Sequence, residues 1–119
     1  MSYDIYLNDP VSGEVLEVEV PHQMRGGTYR VGGDTELHLN VTYNYGDIIR
    51  KAMEDEEGLR SLYGKSGAAS IPILDKAINR LKDDVSKNYW DATEGNAKRA
   101  LIQLKTMAEM RPDGVWDGD

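Results

Sequence analysis

Cysteine and phenylalanine are both absent from this 119-residue chain. The lack of cysteine excludes disulfide scaffolds, thiol nucleophiles and cysteine-ligated zinc or iron–sulfur clusters. The lack of phenylalanine, with Leu, Ile and Val together at about a fifth of the residues, predicts a small apolar core. Seven Tyr, two Trp and five Met must therefore supply much of the buried apolar surface.

The chain also lacks an excess of basic residues, because 14 Lys and Arg stand against 21 Asp and Glu, for a net charge of −7. An acidic chain has no electrostatic footprint for phosphate backbones, so direct nucleic-acid binding is not expected. No apolar run approaches the roughly 20 residues of a membrane span, and the N-terminus has no signal-peptide pattern. These absences predict a cytoplasmic protein without a membrane partner, and the length predicts a single domain over residues 1–119.

The first part of the chain, about residues 3–45, has the period of two that is typical of β-strands. Apolar residues occupy every second position over residues 3–7 and again over residues 16–20. The segment between them, residues 9–13, contains the Pro and Gly that a tight reversal requires. This pattern predicts an antiparallel hairpin.

A second pair of strands is predicted over residues 28–31 and 36–41, joined by a glycine-containing turn at residues 32–35. One side of the later strand is expected to face the core and the other to face solvent. The core side comprises Leu37, Leu39 and Val41, and the opposite side comprises Glu36, His38 and Asn40.

The second part, about residues 47–111, has a helical pattern. Asp47 is a predicted N-cap for a short helix over residues 48–56, with Gly58 as its terminator. One or two further turns are expected at residues 59–63.

Two longer helices follow in this pattern. Ser70 is the predicted cap of a helix whose apolar stripe extends to Val85. The last helix is expected to start at residue 93 or 94 and to end at residue 111, because Pro112 cannot continue it.

A short C-terminal tail, residues 112–119, contains Trp116 between acidic residues. We expect Trp116 to dock on the body, with an exposed anchor as the alternative. The order of elements predicts an α+β fold, in which about four N-terminal strands form a small antiparallel sheet and three to four C-terminal helices pack on one face.

Gly64-Lys65-Ser66 matches the end of a phosphate-binding loop, but Leu59 stands where that motif needs its first glycine. The segment is therefore expected to connect two helices.

The two histidines, His22 and His38, lack the spacing of a ligand pair on one helix, so no metal site is predicted. No nucleophile elbow occurs either, and we predict no catalytic residues, no cofactor and no enzymatic activity.

Two segments are richer in aromatic, amide and glycine residues than a connector needs, namely residues 21–29 with the strand end at 40–45, and residues 88–96. Such groups suit a recognition surface, because rings supply contact area at low entropic cost and amides orient a partner. The alternative is a set of turns and helix caps. The predicted binding residues are Arg25, Tyr43, Asn44, Tyr45, Trp90 and Asn96.

An acidic patch is predicted at Glu54, Asp55, Glu56 and Glu57. With Asp83, Asp84 and the aspartates of the tail, it could imitate the charge of a nucleic-acid backbone. The alternative is an ordinary solvated surface.

Four segments, residues 21–29, 42–45, 93–101 and 110–114, resemble a family of short uncharacterised proteins encoded by bacteriophages and prophages. The likeness spans most of the chain. No activity or site of that family is established, so it implies a context only, that of accessory proteins that bind host machinery, including inhibitors of bacterial defence systems.

The predicted function is that of a non-enzymatic phage or prophage accessory protein that binds a host or phage protein, with inhibition of a host defence system as one form. A small-ligand module, in which the same residues close around a nucleotide-like molecule, is a second hypothesis. The acidic patch also fits a nucleic-acid mimic, and exposed Tyr and Trp side chains also fit a homo-oligomer.

Overall fold

The computed structural model describes residues 1–22 and 34–119. Within these ranges there are five strands, three α-helices and two short 3-10 turns. The strands are β1 (Ser2–Asn8), β2 (Glu17–His22), β3 (Asp34–Glu36), β4 (His38–Thr42) and β5 (Val115–Gly118). The helices are α1 (Gly46–Met53), α2 (Gly67–Asn79) and α3 (Glu94–Met110), and the 3-10 turns are Tyr43–Tyr45 and Gly58–Leu62.

The main sheet is antiparallel and has the order β4-β1-β5. Its central strand places Ile5 opposite Leu39 of β4 and opposite Gly118 of β5. The predicted alternation is confirmed, because the apolar residues of β1 and β4 are buried while the residues between them are partly exposed. The helices cover the buried face, so the predicted α+β class is also confirmed.

The predicted hairpin between the first two strands is shorter than expected and does not include β2. The end of β1 meets the segment after the turn through the bridge of Asn8 with Val15 and the backbone hydrogen bonds from Asp9 to Glu14 and from Leu16 to Leu7. Strand β2 pairs instead with β3 in a separate two-stranded sheet. The physical reason is that both edges of β1 are occupied by β4 and β5. Asp34 and Thr35, predicted in a turn, lie in β3, and the predicted strand at residues 28–31 lies outside the described residues.

The first two helices start earlier than predicted. Helix α1 begins at Gly46, with Asp47 in its first turn, and ends where Glu54 adopts a left-handed conformation. Ser66, not Ser70, caps α2, because its hydroxyl accepts a hydrogen bond from the amide of Ala69. Helix α2 ends at Asn79, so Val85 lies outside it.

Helix α3 agrees closely with its prediction. The hydroxyl of Thr93 caps it by accepting from the amide of Asn96. Its apolar residues pack on α2 and under the sheet.

The C-terminal segment forms a strand, although the sequence predicted only a tail. Trp116 docks as expected and is 1% exposed. Its indole Nε1 donates to the hydroxyl of Ser70, 2.8 Å away, and that hydroxyl donates to the carbonyl of Gly67. Ser70 therefore binds the last strand to α2 instead of starting the helix.

Candidate functional site

The Gly64-Lys65-Ser66 segment precedes α2 directly, but its backbone amides already have partners. The amides of Gly64 and Gly67 donate to the carbonyls of Trp116 and Gly114, and the amide of Ala68 donates to Pro112. A phosphate-binding loop needs such amides free to contact the phosphate. This segment instead attaches the last strand to the body.

His38 lies on the outer face of the main sheet, next to a carboxylate. Its Nε2 is 3.1 Å from Oδ1 of Asp4, and its ring stacks on Tyr6. Burial would raise the pKa of Asp4, but hydrogen bonds from Asn40 and His38 outweigh it and lower the pKa. Within the described ranges no group of three or more His, Asp or Glu side chains could hold a metal.

Residues 82–93 form a loop that lies on the start of α3. Asn96, at 2% exposure, accepts a hydrogen bond from the amide of Ser86. Its Nδ2 donates to the carbonyls of Asn88 and Asp91, at 3.2 and 3.0 Å. One buried amide therefore holds three points of the loop.

The turn at Tyr43–Tyr45 holds the same loop from the other side. Nδ2 of Asn44 donates to the carbonyl of Trp90, 2.8 Å away, and the hydroxyl of Tyr45 donates to the carbonyl of Tyr89. Burial raises the pKa of Tyr45 to about 12, although the charge of Arg99 acts against this rise. Tyr45 is thus a neutral hydrogen-bond donor at physiological pH.

These supports present an aromatic residue at the surface. Trp90 is 47% exposed, and its ring lies 4.7 Å from that of Tyr89, centroid to centroid. Trp is among the residue types that dominate the binding energy of protein interfaces, so Trp90 is a candidate contact residue.

Arg60, from the Gly58–Leu62 turn, extends this surface. Its guanidinium carbon lies 5.0 Å from the ring centroid of Tyr3 and 6.0 Å from that of Tyr43. Nη2 is 3.4 Å from the hydroxyl of Tyr43, and Nε donates to the backbone oxygen of Asp119. We define the aromatic surface as Tyr43, Asn44, Arg60 and Trp90.

The structure brings three of the six predicted binding residues, Tyr43, Asn44 and Trp90, to one surface. Tyr45 and Asn96 were predicted as contacts, and this is wrong in one respect: both are buried, so they support the surface without reaching it. Arg25 and the rest of residues 23–29 lie outside the described residues.

Sequence reasoning did not find Arg60. Its place depends on rings from β1 and from the Tyr43–Tyr45 turn, which are distant in sequence. No local motif marks such a position, so only the tertiary fold could identify it.

The acidic patch Glu54–Glu57 is exposed and lies just after α1. Oε1 of Glu54 lies 3.5 Å from Nη2 of Arg80. Asp83 pairs with Lys98, and Asp84 accepts from the amide of Gly95 at the start of α3, so these two carboxylates have structural partners within the fold.

Two surface depressions lie away from the aromatic surface. One, of about 590 Å³, is lined by α1 and the acidic patch, and the other, of about 310 Å³, lies between the 9–13 turn and Trp116. Neither is lined by Tyr43, Asn44, Arg60 or Trp90.

We expect the Asn96→Asp variant to lose about 1 to 3 kcal/mol of unfolding free energy, because a carboxylate cannot donate to the carbonyls of Asn88 and Asp91 and leaves them unpaired. The same change at Asn44, which is exposed and makes one such bond, should cost under about 1 kcal/mol. Urea denaturation of both variants measures the difference. Equal losses would contradict the role assigned to Asn96.

Comparison with known proteins finds little. No known protein family matches the chain, and no solved structure matches it. The pre-mRNA-splicing factor SLU7 of Pyricularia oryzae is similar, with 29% identity over 89 residues. The aligned part covers 70% of this chain and 19% of that protein, so the chain spans about a fifth of the relative's length.

The resemblance to bacteriophage and prophage proteins is therefore wrong, because the similarity found is to a splicing factor and no phage family matches. The segments that suggested it include helix boundaries: residues 93–101 contain the N-cap and first turns of α3, and residues 110–114 begin at its last residue. Cap and turn sequences recur in unrelated proteins, because they satisfy the same backbone groups. The inference of defence inhibition depended on that resemblance and falls with it.

Across residues 1–22 and 34–119, no helix is both long and apolar enough to cross a bilayer.

Proposed function

We propose that this protein is a non-enzymatic binding protein whose aromatic surface contacts another protein. The observation that carries the proposal is the presentation of Trp90, which is 47% exposed while its own carbonyl is bound by Asn44. Trp, Tyr and Arg are the residue types that dominate the binding energy of protein interfaces. Trp90, Tyr43 and Arg60 supply these types, and contacts link them in sequence: Arg60 lies beside Tyr43, and the neighbouring Asn44 binds the carbonyl of Trp90.

The loop beneath Trp90 also favours binding. Hydrogen bonds from Asn44, Tyr45 and Asn96 fix it before any partner arrives. A surface that is ordered in advance loses less conformational entropy on association. These bonds therefore favour affinity as well as stability.

A protein partner is favoured over a small ligand by the exposure of these residues. Small molecules usually bind in clefts that bury most of their surface, whereas Trp90 is 47% exposed and Arg60 is exposed as well. A cytoplasmic location is part of the proposal and rests on the cysteine-free composition.

The similarity to a splicing factor suggests one class of partner to look for. The sequence identity and the share of that relative covered by the alignment are too low to transfer a role to this chain. Proteins of RNA processing are still a class worth looking for among captured partners.

The test compares the wild-type chain with the Trp90→Ala variant in affinity capture from a cell lysate, followed by native mass spectrometry. We expect a stoichiometric protein with the wild type and a loss of affinity of about 30-fold in the variant, because removing a hot-spot residue costs about 2 kcal/mol or more. Unfolding free energy should change by less than about 1 kcal/mol, since half of the side chain is already in solvent.

Val11→Ala is the matched control, because Val11 is an exposed apolar residue in the 9–13 turn. It should leave capture unchanged. Equal capture by the wild type and both variants would overturn the proposal, and a retained small molecule lost with Trp90 would replace it with the small-ligand function.

A further inference from the structure

The geometry points to a second binding site, in the depression beside Trp116, that takes a primary ammonium group carried on a short alkyl chain. The end of β1, the 9–13 turn, Gly64 and β5 line this depression. The inference goes beyond the proposed function and does not depend on it.

Asn8, the last residue of β1, carries the unpaired group of this site. Its Oδ1 is buried and has no hydrogen-bond partner among the described residues. A buried carbonyl oxygen without a donor costs free energy, so its presence in a folded protein needs an explanation. Asn8 lines the depression, and the terminal torsion of an Asn side chain is soft. A small rotation of the amide therefore presents this oxygen to a donor that enters the depression.

The depression has room for a small molecule. Its volume of about 310 Å³ lies near the lower end of the range for ligand pockets, about 300 to 1,000 Å³. Open space lies over two glycines of the lining, since a Cβ at Gly13 or at Gly64 would meet no heavy atom within 4 Å. The half-buried Val115 is directly opposite Asn8 in the sheet and supplies an apolar wall.

The charged groups of the lining favour a cation. Asp9 and Asp117 line the depression, and none of the described residues around it is Lys, Arg or His. Hydrogen bonds from the backbone amides of Ser12 and Val11 lower the pKa of Asp9, so this carboxylate is ionised at neutral pH. A ligand in the depression therefore meets two negative charges and one unpaired acceptor.

Two cations of the chain lie close to the depression, but the local charge stays negative. Arg111 contributes to the low pKa of Asp9, yet its Nε and Nη2 donate to the two carboxylate oxygens of Asp113, at 3.0 and 2.8 Å. Arg111 and Asp113 together have no net charge. Lys65 is exposed next to Gly64 in sequence and does not line the depression.

A primary ammonium group matches this set of acceptors. It has three N–H donors, which can serve Oδ1 of Asn8 and the carboxylates of Asp9 and Asp117. A carboxylate or phosphate ligand would add a like charge, and a purely alkyl ligand would leave Oδ1 unpaired. The short alkyl chain contacts Val115. A free alkylamine and the side chain of a peptide lysine share this chemistry.

The test titrates the isotope-labelled full chain with n-butylammonium chloride near neutral pH, followed by NMR. We expect saturable shift changes at the side-chain amide of Asn8 and at the backbone amides of residues 9–13, 64 and 115–117. The dissociation constant should be about 1 mM or weaker, because so small a ligand makes few contacts. 1-Butanol, which has no charge, should bind about fivefold more weakly, and butyrate should not bind.

Nα-acetyl-lysine methylamide distinguishes the two sources of the ammonium group. Tighter binding than that of n-butylammonium would assign the site to a lysine of a peptide. Weaker binding would assign it to a free amine. Either result supports the ammonium site.

Asn8→Leu separates recognition from a purely structural role. It should weaken n-butylammonium binding about tenfold, because the acceptor is lost. It should also raise the urea midpoint, because it replaces an unpaired buried oxygen by an apolar group of similar size. A residue whose role is structural would lose stability on replacement.

Asp117→Asn tests the charge and keeps the test decisive if Asn8→Leu does not fold. The new side chain retains an oxygen that can accept from the amide of Gly118, as Asp117 does. Binding of n-butylammonium should weaken about threefold, the effect of one exposed charge. Glu56→Gln, which removes an exposed carboxylate of the acidic patch, is the charge-matched control and should leave binding unchanged.

Three results would overturn the inference. The first is equal binding of n-butylammonium and 1-butanol. The second is a set of shift changes that spreads over the acidic surface without saturation, which would mean that the amine is a counterion only. The third is unchanged binding in Asn8→Leu and Asp117→Asn. None of these measurements involves Trp90, so the proposed function is tested separately.

Discussion

Replacement of Trp116 by Ala is expected to destabilise the protein by about 3 to 5 kcal/mol, the usual cost of truncating a large buried aromatic residue. Trp116 is 1% exposed, and its strand β5 forms one side of the main sheet. The change also removes the donor that satisfies the buried hydroxyl of Ser70. Since domains of this size are stable by only about 5 to 15 kcal/mol, the variant should be close to unfolding. Urea denaturation followed by circular dichroism measures the loss.

Trp116→Phe separates apolar packing from the hydrogen bond, because it keeps most of the ring and removes only the indole donor. It should retain more than half of the stability that Trp116→Ala loses. Trp90→Ala gives the internal comparison, since it removes the same side chain from an exposed position. Similar losses for the two alanine variants would contradict the assignment of Trp116 to the core and Trp90 to the surface.

Local patterns predicted the elements whose signals are local. The apolar period, the cap at Thr93 and the stop at Pro112 define α3 almost to the residue, because caps and periodicity act within a few residues. The alternation in β1 and β4 predicted their buried sides for the same reason.

Partner choice among strands could not be predicted in this way. The turn at residues 9–13 does reverse the chain, since the side chain of Asp9 accepts from the amides of Val11 and Ser12. Yet β1 takes β5, from the opposite end of the sequence, as its neighbour. The burial of Trp116 favours that pairing, and no local pattern reports it.

The candidate site shows the same division. Residue types and loop composition predicted Trp90, Asn44 and Tyr43, which the fold brings to one surface. They did not separate contact residues from supports, because Tyr45 and Asn96 have the composition of a binding site but lie under the loop. Burial is a tertiary property, and it decides which of two similar side chains meets a partner.

Gly95→Ala should both destabilise the protein and weaken partner binding, because the loop that carries Trp90 rests directly on this glycine. A Cβ at Gly95 would lie 2.6 Å from the backbone carbon of Asp84 and 2.6 Å from the amide nitrogen of Val85. Backbone atoms cannot move aside as a flexible side chain can, so the loop must lift from α3. We expect a loss of about 3 kcal/mol, at the upper end of the range for overpacked positions.

The sign of the change makes this prediction decisive. On helix propensity alone, Ala in place of Gly inside a helix stabilises by about 0.5 to 1 kcal/mol. A stabilised Gly95→Ala variant would therefore mean that the loop does not rest on α3 at this glycine. If the loop does lift, the bond from Gly95 to Asp84 is lost together with those from Asn96, and Trp90 loses its fixed position. Partner affinity, measured on the fraction that remains folded, should then fall towards that of Trp90→Ala. The ring is still present, but it is no longer held in position, so its ordering must occur on binding and reduces the affinity.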